Sequence, residues 1–503
     1  MLPDPTSKPL DHLVMSGKPN TLALITRDQT LSYAELDQAV GRLAAQLLAS
    51  GAGHGDRVAS WLAKTVEACL MPLAAARAGL VHVPINPLLK RAQAAHILWD
   101  SGARLLIAGE GRLASLEPGD CPPQCKVWNE AKARDAWQDG EALSPSTQSP
   151  NTLAAILYTS GSTGAPKGVV LTHANLWLGA ISVADYLEIS SDDHVLAVLP
   201  LSFDYGQNQL LATWAAGGCV TPLDYLAPRD VVRAVEKYGI TTLAGVPPLW
   251  VQLVAADWLP EVSSQIKRVT NSGGALSEAL INKISAAFPA ADIYPMYGLT
   301  EAFRSTYLAP ALVEKHPSSM GKAIPNAEIM VVTPDGRIAD DDEAGELVHA
   351  GPLVAQGYWQ DSERTALRFR PAPPSSRYGG IAVWSGDTVR RDAQGLHYFV
   401  ARDDEMIKVS GNRISPSEIE NAAQASGAVT ESVAFGVADA ALGQSITLVA
   451  NAIGDEAESR LLTYLKRELP SFMIPARIVW RDDMPRNPNG KLDRNVIKIE
   501  AAS

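Results

Sequence analysis

The sequence is poor in cysteine, in long apolar runs and in positive charge, and each shortage closes off a class of protein. Its four cysteines, Cys69, Cys121, Cys125 and Cys219, are too sparse for a disulfide framework. No second pair or neighbouring histidine completes a zinc site with Cys121 and Cys125, so all four read as buried or loop thiols. No apolar run reaches the roughly 18 to 20 residues that a membrane-spanning helix needs. The opening Met1-Leu2-Pro3-Asp4 lacks a basic stretch followed by a hydrophobic one, so a cytoplasmic protein is expected. Lys and Arg number 43 against 55 Asp and Glu, a formal net charge of −12. That balance argues against nucleic acid or a membrane surface as partner, since both need a cationic footprint. Any nucleotide has to be held by a local site.

What remains is an ordinary globular composition, 46% hydrophobic and 19% charged, over 503 residues, which is more than one core usually serves. From Thr21 to Leu106, helical patterns (Ser32 to Ala49, Thr65 to Ala78) alternate with β-rich runs (Asp56 to Trp61, Val81 to Ile85), which predicts parallel α/β layering. The apolar run Leu153 to Tyr158 reads as a buried strand whose carboxyl end should carry a ligand site. Strand and helix signals continue to about Ile381, with Pro371 to Ser376 as a surface loop. After Arg402 the pattern changes. Ser415-Pro416-Ser417-Glu418 predicts a helix start. Strands over Val429 to Val437 and Ser445 to Ala452, a helix from Asp455 to Glu468 and a strand around Arg477 to Trp480 complete a small α+β unit. The fold class is therefore α/β, a large N-terminal multi-sheet domain over residues 1–401 and a small α+β domain over 402–503.

Directly after the predicted strand comes Tyr158-Thr159-Ser160-Gly161-Ser162-Thr163-Gly164-Ala165-Pro166-Lys167-Gly168. Its glycines let backbone approach a ligand, its hydroxyls add donors and Lys167 adds a cation, a set suited to a polyphosphate. A Walker loop is excluded, because Lys167 follows Pro166 and precedes Gly168 instead of opening a helix with Ser or Thr. On composition alone a structural Ser/Gly loop stays open.

The loop resembles the phosphate-binding signature of the adenylate-forming superfamily, which includes acyl- and aryl-CoA synthetases, adenylation domains of nonribosomal peptide synthetases, and luciferases. Further motifs follow in that family's order: Ser272-Gly273-Gly274-Ala275, Tyr297-Gly298-Leu299-Thr300-Glu301, Trp384-Ser385-Gly386-Asp387, Arg402-Asp403-Asp404, Ser410-Gly411-Asn412-Arg413 and Pro488-Asn489-Gly490-Lys491. The resemblance implies ATP and Mg²⁺ as cofactors and a mobile C-terminal lid. Adenine would lie between Gly273, Gly274 and Ala275 on one side and Tyr297 on the other. Asp387 would take the ribose hydroxyls, with Arg402 nearby; a plain turn aspartate is the other reading of Asp387. Thr159, Thr300 and Glu301 would face the α-phosphate, with Glu301 and Thr159 at the metal. Ser160, Gly161, Ser162, Thr163, Gly164 and Lys167 would complete the phosphate site, and Gly298 belongs to the same nucleotide-binding set. Lys491 would bridge carboxylate and α-phosphate as charge builds up, making it the catalytic cation beside Glu301, Thr163 and Thr159.

By the same resemblance, Asp404 is the hinge, and Gly411 and Arg413 lie on the path of a phosphopantetheine arm. Ala401 stands where the family usually has glycine. Aligned acid-pocket positions are Asp204, Tyr205, Asn208, Gly245, Ser272, Met296, Arg304 and Ser305. Asp204 would pair with a substrate ammonium or else cap the helix Tyr205 to Ala216. Arg304 would bind a second carboxylate or neutralise Asp204. Tyr297 to Tyr307 and Ser202 to Gly206 are similar to acyl-CoA ligases associated with exosortase A systems. Leu469 to Pro475 and Asn487 to Arg494 resemble carrier-loading adenylation domains, whereas Lys408 to Gly411 with Ile414 to Pro416 resembles CoA ligases. The expectation is a ligase that activates a small amino or acyl acid and delivers it to CoA or to an acyl or peptidyl carrier protein. A nucleotide-binding regulatory module without catalysis is the competing class; Lys491, Glu301 and Thr163 together argue against it.

Overall fold

The alternation in the first hundred residues resolves into capped helices between short parallel strands. The structure is a computed structural model that describes residues 6–159, 166–276, 278–402, 407–414, 416–485, 492 and 494–502. Ser32 accepts a hydrogen bond from the Glu35 amide, and the Glu35 carboxylate accepts one from the Ser32 amide. The helix Tyr33–Ala49 therefore starts with its first donors satisfied. Thr65 caps Val66–Arg77 by accepting from Ala68, and that helix is buried on every face. Between them run Arg57–Trp61, Val81–Pro84 and Leu105–Ala108, which pair in parallel. With Lys126–Asn129, Leu153–Thr159 and Lys167–Thr172 they form a six-stranded sheet whose last pair is antiparallel.

A second, 14-stranded sheet has a parallel middle in the spatial order Cys219–Pro222, His194–Ala197, Thr242–Gly245, Arg268–Asn271 and Asp292–Tyr297. From Tyr297 it continues antiparallel through Thr306–Tyr307 and Ser319–Ala323 to His397–Arg402 and Ile381–Arg391. Pro371 ends a short strand, Phe369–Pro371, on that edge, so the surface loop begins one residue later than expected. The carboxyl ends of the parallel strands, and that of Leu153–Thr159, open onto one cavity of about 1170 Å³, the position where open α/β sheets hold ligands.

The last strand of the large sheet ends at Arg402, and a separate five-stranded sheet begins at Ile407. It carries the helices Pro416–Ala425, Ala457–Glu468 and Arg494–Ala502 and has its own core around Ile419, Leu448, Leu461 and Leu465. Ser415, the expected helix cap, lies outside the described residues. The helix expected from Asp455 starts at Ala457 because Glu456 takes a left-handed φ of 59°. The fold is thus mixed α/β with a large multi-sheet N-terminal domain and a smaller C-terminal one.

One contact seats the helix Asp204–Ala215 at the cavity edge. A Cβ placed on Gly206 would come 1.9 Å from the Pro200 carbonyl oxygen, so only glycine lets the helix lie against the turn before it. Gly206→Ala is expected to lower the midpoint of urea unfolding by a loss of roughly 1–3 kcal/mol, the usual cost of overpacking. Gly111→Ala, whose added methyl meets nothing within 4 Å, is the control and should be neutral or slightly stabilising.

Candidate active site

The first end of the cavity is a flat slot beside an acid. The turn Gly273-Gly274-Ala275 follows the strand Arg268–Asn271, and the Asn271 side chain donates to the Gly274 carbonyl at 2.8 Å to hold it. Tyr297, at the end of the next strand, lines the same cavity as that turn. Its hydroxyl donates to Asp387, which is 1% exposed and whose amide donates to the Ser385 hydroxyl at 3.0 Å. The strand register sets Asp387 opposite Arg402. A planar ring fits between a backbone turn and a phenol ring, and the acid suits a diol.

The second end gathers oxygen donors and a cation. Thr159 ends its strand with a buried hydroxyl that has no hydrogen-bond partner among the described residues. The antiparallel register places it opposite Lys167. Lys167 Nζ donates to the Tyr358 hydroxyl at 2.8 Å and lies 3.2 Å from the Glu301 carboxylate; Tyr358 in turn donates to Glu301 at 2.7 Å. Glu301 is 8% exposed and follows Thr300, which faces the cavity. Hard oxygen ligands beside a lysine fit a Mg²⁺-bound polyphosphate. Tyr358 was not foreseen; its only sequence signal is an aromatic between Gly357 and Trp359 in a loop. Ser160, Gly161, Ser162, Thr163, Gly164, Asp404 and Lys491 lie outside the described residues.

At the third end, Asp204, Ser272, Met296 and Arg304 line the wall. Asp204 is not a helix cap: Phe203 holds that position, and Asp204 is the first helical residue, accepting from the Tyr205 amide at 2.8 Å. Arg304 lines the same wall. It donates to the Ser272 hydroxyl at 2.7 Å and lies over the Tyr205 ring, 4.8 Å from its centroid. Burial pushes the Tyr205 phenol up to about 12, and the guanidinium opposes that shift. Tyr205 also pairs with the Thr270 hydroxyl, and Ser305 with His349. Asn208 is buried in its helix, and the space beside Gly245 is filled by Trp250, 2.8 Å from where a Cβ would sit. These four support the wall.

The backbone turns sharply to aim Arg304. Phe303 has φ 63° and ψ −70°, and the Arg304 amide donates to the Ala302 carbonyl at 2.7 Å, which makes a γ-turn. For a bulky residue this conformation costs on the order of 1–3 kcal/mol. The Phe303 ring fills the space over Gly179, where a Cβ would come within 2.3 Å.

The small domain closes the cavity. Gly411, at φ 80°, lies so near Val246 that an added Cβ would come within 2.7 Å of it. Lys408, Ser410 and Asn412 line the same opening, and the Arg413 backbone pairs with Lys408. Gln93 of the large domain donates to Glu418 of the small one at 2.7 Å, a contact no local pattern announces.

The chain belongs to the family of AMP-binding enzymes. The family model for the AMP-binding enzyme matches residues 13–359, and the one for its C-terminal domain matches 418–491. Among curated relatives, tyrocidine synthase 3 of Brevibacillus parabrevis is 30% identical over 484 residues, which is 95% of this chain but only 7% of that protein. The fatty acid–[acyl-carrier-protein] ligase ScoC of Streptomyces coeruleorubidus is 30% identical over 500 residues, 96% of this chain and 93% of the relative. Among solved structures, o-succinylbenzoate CoA synthetase (MenE) of Bacillus subtilis with the product analogue OSB-NCoA superposes with a TM-score of 0.86 at 25% identity, covering 98% of this chain and 99% of that one. The same enzyme with its acyl-adenylate OSB-AMP gives 0.71 at 26% identity, over 98% of each chain.

Burial pushes the Glu418 carboxyl up to about 7, and Gln93 only partly offsets it. A raised carboxyl pKa stabilises this docking fully below the ordinary value of about 4.3, and the gain is lost as pH rises through about 7. Corrected amide exchange in the helices Arg91–Ser101 and Pro416–Ala425 should therefore be faster at about pH 8 than at about pH 5. Glu418→Gln is expected to abolish that difference; a difference that survives would exclude Glu418 as its source.

Proposed function

We propose that this chain is an AMP-forming acid–thiol ligase acting on a small amino or acyl acid. The observation that carries the reading is that a flat slot with an acid, the hydroxyl residues Thr159 and Thr300, and a wall bearing Asp204 and Arg304 line one cavity, with the Lys167–Glu301 pair beside Thr159. A carboxylate oxygen of the substrate attacks the α-phosphorus of ATP, the bond to the bridging oxygen breaks, and pyrophosphate leaves. A thiol of CoA or of a carrier protein's phosphopantetheine then attacks the acyl carbon, AMP departs and the thiol proton is released.

In this reading Gly273, Gly274, Ala275 and Tyr297 hold adenine, while Asp387 and Arg402 hold ribose. Thr159, the segment Ser160 to Gly164, Lys167 and Thr300 hold the phosphates. Mg²⁺ bound by Glu301 and Thr159 would offset phosphate charge. Lys491 brings a cation to the junction of the two anions. The domains divide at 401/402, with Asp404 as hinge. The better superposition on the CoA-analogue complex than on the acyl-adenylate complex supports an arrangement suited to the second half-reaction, as does Gly411 packed at the opening. Dependence on ATP and on CoA or carrier thiols points to the cytoplasm as the site of reaction.

Exchange of labelled pyrophosphate into ATP, dependent on an added acid, tests the reading; a catalytically silent binding module gives no exchange with any acid. Lys491→Ala is expected to reduce exchange by about two to three orders of magnitude, as loss of a transition-state donor does. It should leave thioester formation from supplied acyl-adenylate within a few-fold of wild type. Equal loss of both half-reactions would remove the lysine from this role.

A further inference from the structure

The cation in the wall of the acid pocket has no carboxylate answering it among the described residues. Arg304 is 2% exposed, yet it lines the cavity. Its contacts are the hydroxyls of Ser272 and Tyr186 and the ring face of Tyr205, and its Nε has no partner among the described residues. A buried guanidinium is ordinarily paired with a carboxylate, because taking its charge out of water is otherwise expensive. Asp204, which shares the wall, accepts from the Tyr205 amide through Oδ1.

The fold spends backbone strain to keep Arg304 there. The γ-turn at Phe303 swings residue 304 inward, Gly179 leaves room for the Phe303 ring, and Gly298 lets the Arg304 Cα approach to 3.0 Å of where its own Cβ would be. A side chain needed only for packing does not call for a bulky residue at positive φ; the inference runs from that outlier to a function.

We infer that the acid is a short dicarboxylate: one carboxylate goes to the α-phosphate of ATP, and the other is received by Arg304. The inference rests on the ligase reading above and names the substrate class of that same pocket. A guanidinium matches a carboxylate with two parallel donors, so Arg304 in the cavity wall suits a second carboxylate better than a hydroxyl or an alkyl end. Trp250, packed into the space beside Gly245, keeps the supporting wall closed and favours a short acid.

The test compares acids of equal length with and without the second carboxylate: succinate against butyrate, adipate against hexanoate, and aspartate against 2-aminobutyrate. A site built for a polar group rejects analogues that lack it strongly, so pyrophosphate exchange should favour a diacid by at least about 100-fold in kcat/KM. Arg304→Met should erase that preference chiefly by raising KM for the diacid, with little effect on the monoacid. Arg304→Lys should restore part of it. Gly179→Ala, which displaces Phe303 without touching the charge, should raise KM for the diacid more than for its partner. Exchange confined to monoacids, or an equal loss on both in Arg304→Met, overturns the carboxylate role and leaves the ligase reading standing. No exchange with any acid overturns the ligase reading and this inference with it.

Discussion

In the proposed reaction two anions must meet in this cavity, and their repulsion is the constraint that the site would answer. A carboxylate approaching a triphosphate gains nothing from the protein's overall field, since the chain carries a net charge of −12. Positive charge has to be placed locally, and the fold places it at separate stations. Lys167 is held beside Thr159 by Tyr358 and Glu301. Arg304 stands in the acid wall, and Lys408 comes from the small domain at the opening. Each is on an element whose position is set by packing, so little reorganisation is needed as charge moves.

That placement follows from sheet topology. Parallel strands end together, and the turns after Ala197, Gly245, Asn271 and Tyr297 therefore supply the cavity's backbone. The strands Arg57–Trp61, Val81–Pro84 and Leu153–Thr159 were legible as short β-rich runs, because burial on both faces leaves near-continuous apolar segments, whereas those of the large sheet lay in a stretch read only as continuing strand and helix signals. The capped helix starts at Ser32 and Thr65 were legible for a local reason as well: the cap lies within a few residues of the amide it satisfies. The motif residues of the flat slot were found from their order along the chain, and the structure brings Tyr297, Asp387 and the Gly273 turn to one place.

What escaped the sequence is non-local. Tyr358 meets Lys167 across 191 positions, and Gln93 meets Glu418 across 325; neither pair has a spacing to read. The pocket positions at Tyr205, Asn208, Gly245 and Ser305 look alike in an alignment with those that line the wall. Only packing separates them, as when Trp250 fills the space that glycine leaves. The turn at Phe303 is hidden for a different reason. Residue type argues against positive φ there, and the compensation comes from Gly179, on a helix far back in the chain.

Glycine at 411 bears on how the small domain docks against the large one. Its φ of 80° alone would favour glycine, but the neighbouring Ser410 tolerates φ 51°, so conformation does not decide the matter. Proximity does. An added Cβ at 411 would press within 2.7 Å of Val246 from the other domain, whereas one at Gly273, across the same opening, would have 3.5 Å. The steric demand at 411, added to the strain of its φ, therefore exists only while the small domain is docked as seen here. Were the domain rotated away, Val246 would be gone and a side chain would cost little beyond the turn itself. A residue packed this way suits the docked arrangement, and under the proposed function the opening it borders is where a thiol would reach the activated acid.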